Sequence, residues 1–150
     1  MQSSSSRPQP IGVAIAGLGF GEAVHLPALQ ANPGLEAVAL WHPRQDRLDE
    51  ACSSHKLKGT TDWDALLANP EVEAVIITTP PAPRFDLARR ALEAGKHLLL
   101  EKPVALDADQ VAELQRIAIA KRLSVAVDFE YRAVPLFMQA ARLLQSGAIG

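Results

Sequence analysis

The 150-residue chain has one cysteine, Cys52, so it forms no internal disulfide and carries no Cys-based zinc site. It has no excess of positive charge: 15 Lys and Arg against 17 Asp and Glu leave a net charge of −2. That balance excludes a basic field tracking nucleic-acid phosphates or gripping an anionic membrane, so neither partner is expected. No apolar run approaches the roughly 20 residues that span a bilayer. The first ten residues lack the apolar stretch of a secretory signal; Ser3 to Ser6, Pro8 and Pro10 make them a tail that buries nothing. A reducing, cytoplasmic setting is the expectation.

Present in place of these is a core-forming composition, 48% hydrophobic, arranged as strands alternating with amphipathic helices. Short apolar runs predict strands at 11–16, 35–41, 56–61, 72–78, 97–100 and 124–129. Helical spacing predicts helices at 19–31, kinked at Pro27, and at 43–55, 62–67, 85–94, 107–121 and 135–145. Asp62 is an expected N-cap and Gly95 an expected C-terminal stop. The alternation implies an α/β fold: a doubly wound, mostly parallel sheet covered on both faces. Residues 1–10 read as the tail, 11–130 as one domain and 131–150 as a crossover helix leaving it.

The first strand runs into Gly17-Leu18-Gly19-Phe20-Gly21-Glu22. Strand, glycine turn and helix start, in that order, make a dinucleotide-binding fingerprint: Gly17 permits the turn, Gly19 a close backbone approach, and the amides near Phe20 and Gly21 face a phosphate. Glu22 occupies the third glycine position of G-x-G-x-x-G, and Gly21 stands one residue early. The same glycines also suit any strand-to-helix turn. No G-K-[ST] follows, which argues against a P-loop nucleotidase.

The second strand ends Trp41-His42-Pro43-Arg44 with no carboxylate before Asp46. A carboxylate there would pair with the ribose of NAD. His42 and Arg44 instead suit a 2′-phosphate, unless Arg44 is merely solvated. The cofactor is therefore read as NADP or NAD, with NADP favoured. After the fifth strand stands Glu101-Lys102-Pro103, preceded by Ala94-Gly95-Lys96-His97. A lysine at the carboxyl end of a central strand lies where open α/β sheets bind ligands, and its ammonium can hydrogen-bond a substrate oxygen. A surface lysine before a turn proline is the alternative.

These motifs together resemble the glucose-fructose oxidoreductase/inositol dehydrogenase (Gfo/Idh/MocA) oxidoreductases over about residues 11–150. The resemblance is carried by Gly17 to Gly21 with His25, Ala28 and Leu29, by Thr79-Pro80, Ala94 to His97 and Glu101 to Pro103, and by Arg132, Pro135 and Gly147 to Gly150. It implies a Rossmann NAD(P)-binding domain followed in family members by a substrate domain that this chain does not include, and homo-oligomers of the full-length protein. It implies hydride transfer between a nicotinamide and a hydroxyl or carbonyl carbon of a sugar, cyclitol or related small molecule. Gly17, Gly19, Phe20 and Gly21 would lie at the pyrophosphate and Thr79 and Pro80 along the cofactor. Glu101 would lie near the nicotinamide and Lys102 beside nicotinamide and substrate, as the catalytic residue. Arg132 matches an arginine where the chain leaves the Rossmann domain. Relatives that cleave glycosides with tightly held NAD, and a non-catalytic dinucleotide-binding module, are the alternatives.

The sequence departs from the family pattern at Glu22, at Arg84 after Thr-Pro, and at Asp128 and Glu130. Arg84, Asp86, Arg89, Arg90 and Glu93 read as a solvated helix face. His25 reads as cofactor-facing or as a packing residue, His97 as structural, His55 as solvated and Cys52 as a small helix-face residue. No two histidines stand at ligand spacing with a carboxylate, so no metal is expected.

Overall fold

A computed structural model describes residues 9–148. Six parallel strands form one sheet in the order β3-β2-β1-β4-β5-β6: β1 (Ile11–Ala16), β2 (Leu35–Trp41), β3 (Lys58–Thr60), β4 (Ala74–Ile77), β5 (His97–Glu101) and β6 (Val125–Asp128). The helices are α1 (Leu26–Gln30), α2 (Gln45–His55), α3 (Trp63–Ala68), α4 (Pro81–Glu93), α5 (Ala108–Lys121) and α6 (Pro135–Gln145). The expected doubly wound α/β architecture is therefore the observed one.

Alternation along β1 shows why both sheet faces need cover. Val13 and Ile15 pack with Leu26 and Leu29 of α1 and Leu48 and Ala51 of α2. Ala14 and Ala16 face the opposite layer, with Trp63, Leu66 and Leu67 of α3, Leu87 and Leu92 of α4 and Leu114 of α5. Period-two side chains thus feed two cores from one strand. The small residues of β1 leave room for the paired rings of Trp41 and Trp63, 5.1 Å apart edge to face.

Element boundaries depart from the sequence reading where caps and prolines decide. Asp62 caps α3 by accepting from the amides of Asp64 and Ala65 at 2.9 and 3.2 Å, as expected. Asp107 caps α5 through the Gln110 amide at 2.9 Å. Helix α4 begins at Pro81 rather than 85, because Pro81 and Pro83 sit in the first turn, where amide donors are not needed. Helix α2 begins two residues late: the Arg44 amide donates to His42 Nδ1 at 3.2 Å and Arg44 stays extended. The expected helix over 19–31 is instead a π-helical turn, Gly21–His25, leading into α1. The turn takes a wider register just before Pro27, which has no amide to donate.

Two strands of the sheet have different support. Helices α3, α4 and α5 close one face. On the α1 side, Leu99 of β5 and Ala126 of β6 line an open apolar groove of about 240 Å³. Helix α6 buries none of its residues; Leu136 is 82% exposed and Phe137 and Leu144 are also exposed.

Candidate functional site

The strand order reverses between β1 and β4, so the loops leaving those strands diverge and open a crevice at their carboxyl ends. Three backbone and side-chain bonds hold its rim. The Gly17 amide donates to the Trp41 carbonyl at 3.1 Å, tying β1 to β2. The Thr78 hydroxyl donates to the carbonyls of Ala16 and Gly17, at 3.2 and 3.0 Å, tying β1 to β4. The resulting cleft, about 380 Å³, is lined by Gly17, Gly19, His42, Thr79 and Pro80 among others. The structure thus brings five of the expected cofactor residues to one place.

The three glycines of the turn do different work. Gly17 has φ 101°, a left-handed conformation that favours glycine. A Cβ on Gly21 would lie 2.6 Å from Ile15 Cγ2 and 2.9 Å from Thr78 Oγ1, so Gly21 permits the helix to close on the sheet. That is the packing role expected of the third glycine, moved one residue earlier. The π-helical turn accommodates the shift, and Glu22 is left free to point away and pair with His55 Nε2 at 2.9 Å. His55 is accordingly half-buried and paired, not solvated. At Gly19 a Cβ would meet nothing within 4 Å. Its missing side chain serves no contact within the protein; it leaves bare backbone toward the cleft.

Phe20 and Arg44 stand apart from that cleft's lining. Phe20 is exposed, and its ring meets His25 edge to face at 5.3 Å. Arg44 is exposed and pairs with Asp46 through Nε at 3.1 Å and through a second guanidinium nitrogen. The pair holds the Asp46 carboxyl below, and the Arg44 guanidinium above, their ordinary values.

Lys102, just past the end of β5, and Arg132 line a second opening, about 1130 Å³, with Leu106, Phe129, Glu130 and Tyr131. Lys102 Nζ lies 3.0 Å from Glu130 Oε1. Their hydrogen bond raises the lysine's pKa and lowers the carboxylate's, so Lys102 is held as a charged donor rather than a neutral base. Glu101 is buried, and its Oε2 accepts from the Lys102 amide at 3.1 Å. The Lys102–Pro103 peptide bond is cis.

Two features escaped the sequence reading. Arg84 is 3% exposed, not solvated. Its guanidinium donates to the carbonyls of Thr79, Glu101 and Pro103, joining the loop after β4 to the loop after β5. Burial lowers its pKa, opposed by the nearby Glu101 charge. The signal was available: Arg84 lies three and four residues before the buried Leu87 and Ala88, on the same helix face. The second feature is His25, which is buried with its Nε2 at 3.5 Å from both Glu101 and Asp128. Linear spacing of the histidines could not show this, since one histidine meets two carboxylates from distant parts of the chain. These three residues are 76 and 27 positions apart along the chain, as their numbers show, and only the adjacency of β1, β4, β5 and β6 gathers them. His97, as expected, is structural, its Nδ1 accepting from the Ser124 amide at 2.9 Å. Among the described residues no helix is long and apolar enough to cross a membrane.

With this geometry in view, the chain's similarity to known proteins is specific. Residues 11–129 match the family model of the Gfo/Idh/MocA oxidoreductases, NAD-binding Rossmann fold. The chain is 42% identical over 139 residues to an uncharacterized oxidoreductase of Synechocystis, covering 92% of this chain and 38% of that protein. It is 34% identical over 125 residues to dTDP-3,4-didehydro-2,6-dideoxy-alpha-D-glucose 3-reductase of Actinomadura kijaniata, covering 83% of this chain and 38% of that enzyme. Among solved structures, the 3-ketoreductase KijD10 of the same organism, in complex with NADP and TDP-benzene, superposes with a TM-score of 0.88 at 32% identity. That match covers 94% of this chain and 44% of KijD10. The chain thus spans about two-fifths of the length of the relatives it matches. By sequence, sheet order and glycine turn, it belongs to the Gfo/Idh/MocA oxidoreductases and forms their NAD-binding Rossmann fold.

Proposed function

We propose that this chain is the cofactor-holding part of an NAD(P)-dependent oxidoreductase acting on a sugar, cyclitol or related small molecule. The observation that carries the reading is Gly19: its Cβ position is open toward the cleft, while Gly17 and Gly21 are each fixed by internal contacts. A bare backbone at a strand-to-helix turn fits a pyrophosphate, whose negative charge the free amides of that turn would meet. Thr79, whose buried Oγ1 has no hydrogen-bond partner, adds a polar residue to the same rim.

In this reading Gly17, Gly19, Phe20 and Gly21 hold the pyrophosphate end. His42 and Arg44 meet the adenosine ribose or its phosphate, and Thr79, Pro80 and Glu101 lie along the nicotinamide half. Nicotinamide, when bound, supplies the hydride-exchanging carbon. The protein's share is placement, exclusion of water and a positive charge at the substrate oxygen, and Lys102 supplies that charge. Arg132, beside Lys102 on the wider opening, contributes a second cation to the approach of the cofactor or substrate. KijD10, which binds NADP together with a TDP ligand, makes a sugar-nucleotide type of substrate compatible with this opening.

The domain limits follow from the same reading. Residues 11–130 form the dinucleotide domain, and 131–150 cross toward a substrate domain that covers the exposed apolar face of α6. The full-length protein is then a homo-oligomer working in the cytoplasm, where Cys52 stays reduced.

Calorimetric titration of the chain with NADP and NAD tests the proposal, using Gly19→Val as the discriminating variant. Because the valine meets no protein atom at its Cβ, the variant should fold with an unchanged circular dichroism spectrum and melting temperature. It should lose at least about tenfold in affinity for both dinucleotides, a penalty of about 1.4 kcal/mol or more. Unchanged affinity in a folded Gly19→Val protein would overturn the site.

A further inference from the structure

His25, Glu101 and Asp128 reach one point from three separate elements: the end of the π-helical turn, the end of β5 and the end of β6. His25 Nε2 and Glu101 Oε1 are buried there without a hydrogen-bond partner, and both residues are 8% exposed. Unsatisfied polar atoms at this depth are costly and call for a ligand.

The distances suit a cation better than a hydrogen bond. His25 Nε2 lies 3.5 Å from an oxygen of Glu101 and 3.5 Å from an oxygen of Asp128, beyond the range of a good N–H···O bond. Ligands at about 2.0–2.2 Å from a tetrahedral zinc ion stand about 3.3–3.5 Å from one another. The three ligand atoms all lie within 4.8 Å of one another. Charge points the same way. Neither neighbouring cation hydrogen-bonds the cluster: Lys102 pairs with Glu130, and the two terminal guanidinium nitrogens of Arg84 donate to backbone carbonyls. Glu101 keeps Oε2 for the Lys102 amide, which fixes the carboxylate and turns Oε1 to the cluster. The π-helical turn is what brings His25 inward, and such turns concentrate at functional sites.

We propose that this cluster binds a divalent cation of the zinc class through His25 Nε2 and one oxygen each from Glu101 and Asp128. Solvent completes the shell on the side where Asp128 is partly exposed. The cation cross-links the helix that follows the glycine turn to the ends of β5 and β6, next to Lys102. The cluster is distinct from the Glu22–His55 pair, which provides the internal control.

The test uses the metal-stripped 150-residue chain titrated with Co²⁺ and followed by visible absorption, then displaced with Zn²⁺. Binding should produce the d–d bands of low-coordinate Co²⁺ with a stoichiometry of one, abolished by equimolar Zn²⁺. His25→Gln and Asp128→Asn should each weaken binding at least about tenfold, whereas His55→Gln should leave it unchanged. Circular dichroism identifies which variants fold, and partly exposed Asp128→Asn decides if His25→Gln does not. Absence of a Co²⁺ spectrum in the folded wild type would mean that the cluster is an ion pair only. A spectrum that survives both ligand variants, or that is lost in His55→Gln, would equally overturn the proposal. NADP titration of the same samples reads the dinucleotide site separately.

Discussion

Arg84 shows how one side chain can organise a site it does not line. Three carbonyls, of Thr79, Glu101 and Pro103, share its guanidinium, so the cofactor-side loop and the lysine-bearing loop depend on one buried cation. Arg84→Met would leave those carbonyls short of donors in a dry environment, at about 1–3 kcal/mol for each that finds no water. The expected outcome is a stability loss of about 2–4 kcal/mol in chemical denaturation. Arg84→Lys should recover only part of it, since an ammonium cannot match the planar fork. A loss within about 0.5 kcal/mol would contradict the role. Lys102 and Glu130 make a partly exposed pair, and its pH dependence has a definite sign. The Glu130 pKa is lowered, so its contribution is present above the ordinary glutamate value and fades as pH falls through the lowered one. The Lys102 pKa is raised, so the contribution is complete below the ordinary lysine value and fades as pH rises through the raised one. Carbon-detected NMR should find the Glu130 carboxyl titrating below a free glutamate and moving back up in Lys102→Met.

At the scale of elements, the proposed function assigns the choice of dinucleotide to the turn after β2. Its lack of a carboxylate was legible in the sequence. The partner of Arg44 was not, because the Arg44–Asp46 contact depends on Arg44 staying extended at the start of α2. Asp46 neutralises the guanidinium and would compete with a 2′-phosphate for it. Asp46→Asn should therefore raise the preference for NADP over NAD, by about tenfold for a freed Arg–phosphate contact of about 1.4 kcal/mol. Side-by-side fluorescence titrations measure it; a ratio unchanged from wild type would remove Arg44 from the ribose site. The helix after the glycine turn teaches the complementary lesson. Gly17, Gly19 and Gly21 were readable as a motif, and Pro27 as a disturbance. The π-helical turn was not readable, because it reconciles the early Gly21 with the packing of Ile15 and Thr78, which are contacts across the sheet.

For the whole molecule, the strand–helix alternation and the layer pattern were legible because apolar runs and cap residues are local signals: Asp62 caps where expected, and β1 and β2 match their runs residue for residue. What stayed hidden was long-range convergence. Arg84 looked like one more charge on a polar helix, and His25 met Glu101 and Asp128 only after the sheet had brought three strand ends together. The two openings are separated along the sheet edge, the narrower one over β1 and β4 and the wider one beyond β5. Under the proposed function a dinucleotide lies across the first, with its reactive end toward the second. Amide chemical-shift mapping of the isotopically labelled chain with NADP tests this most directly. The largest shifts are expected at Gly17 to Gly21, His42, Arg44 and Thr78 to Thr79, with smaller ones reaching Glu101 and Lys102. Shifts confined to the wider opening, around Leu106, Phe129 and Tyr131, with Gly19 unmoved at saturating NADP, would contradict it.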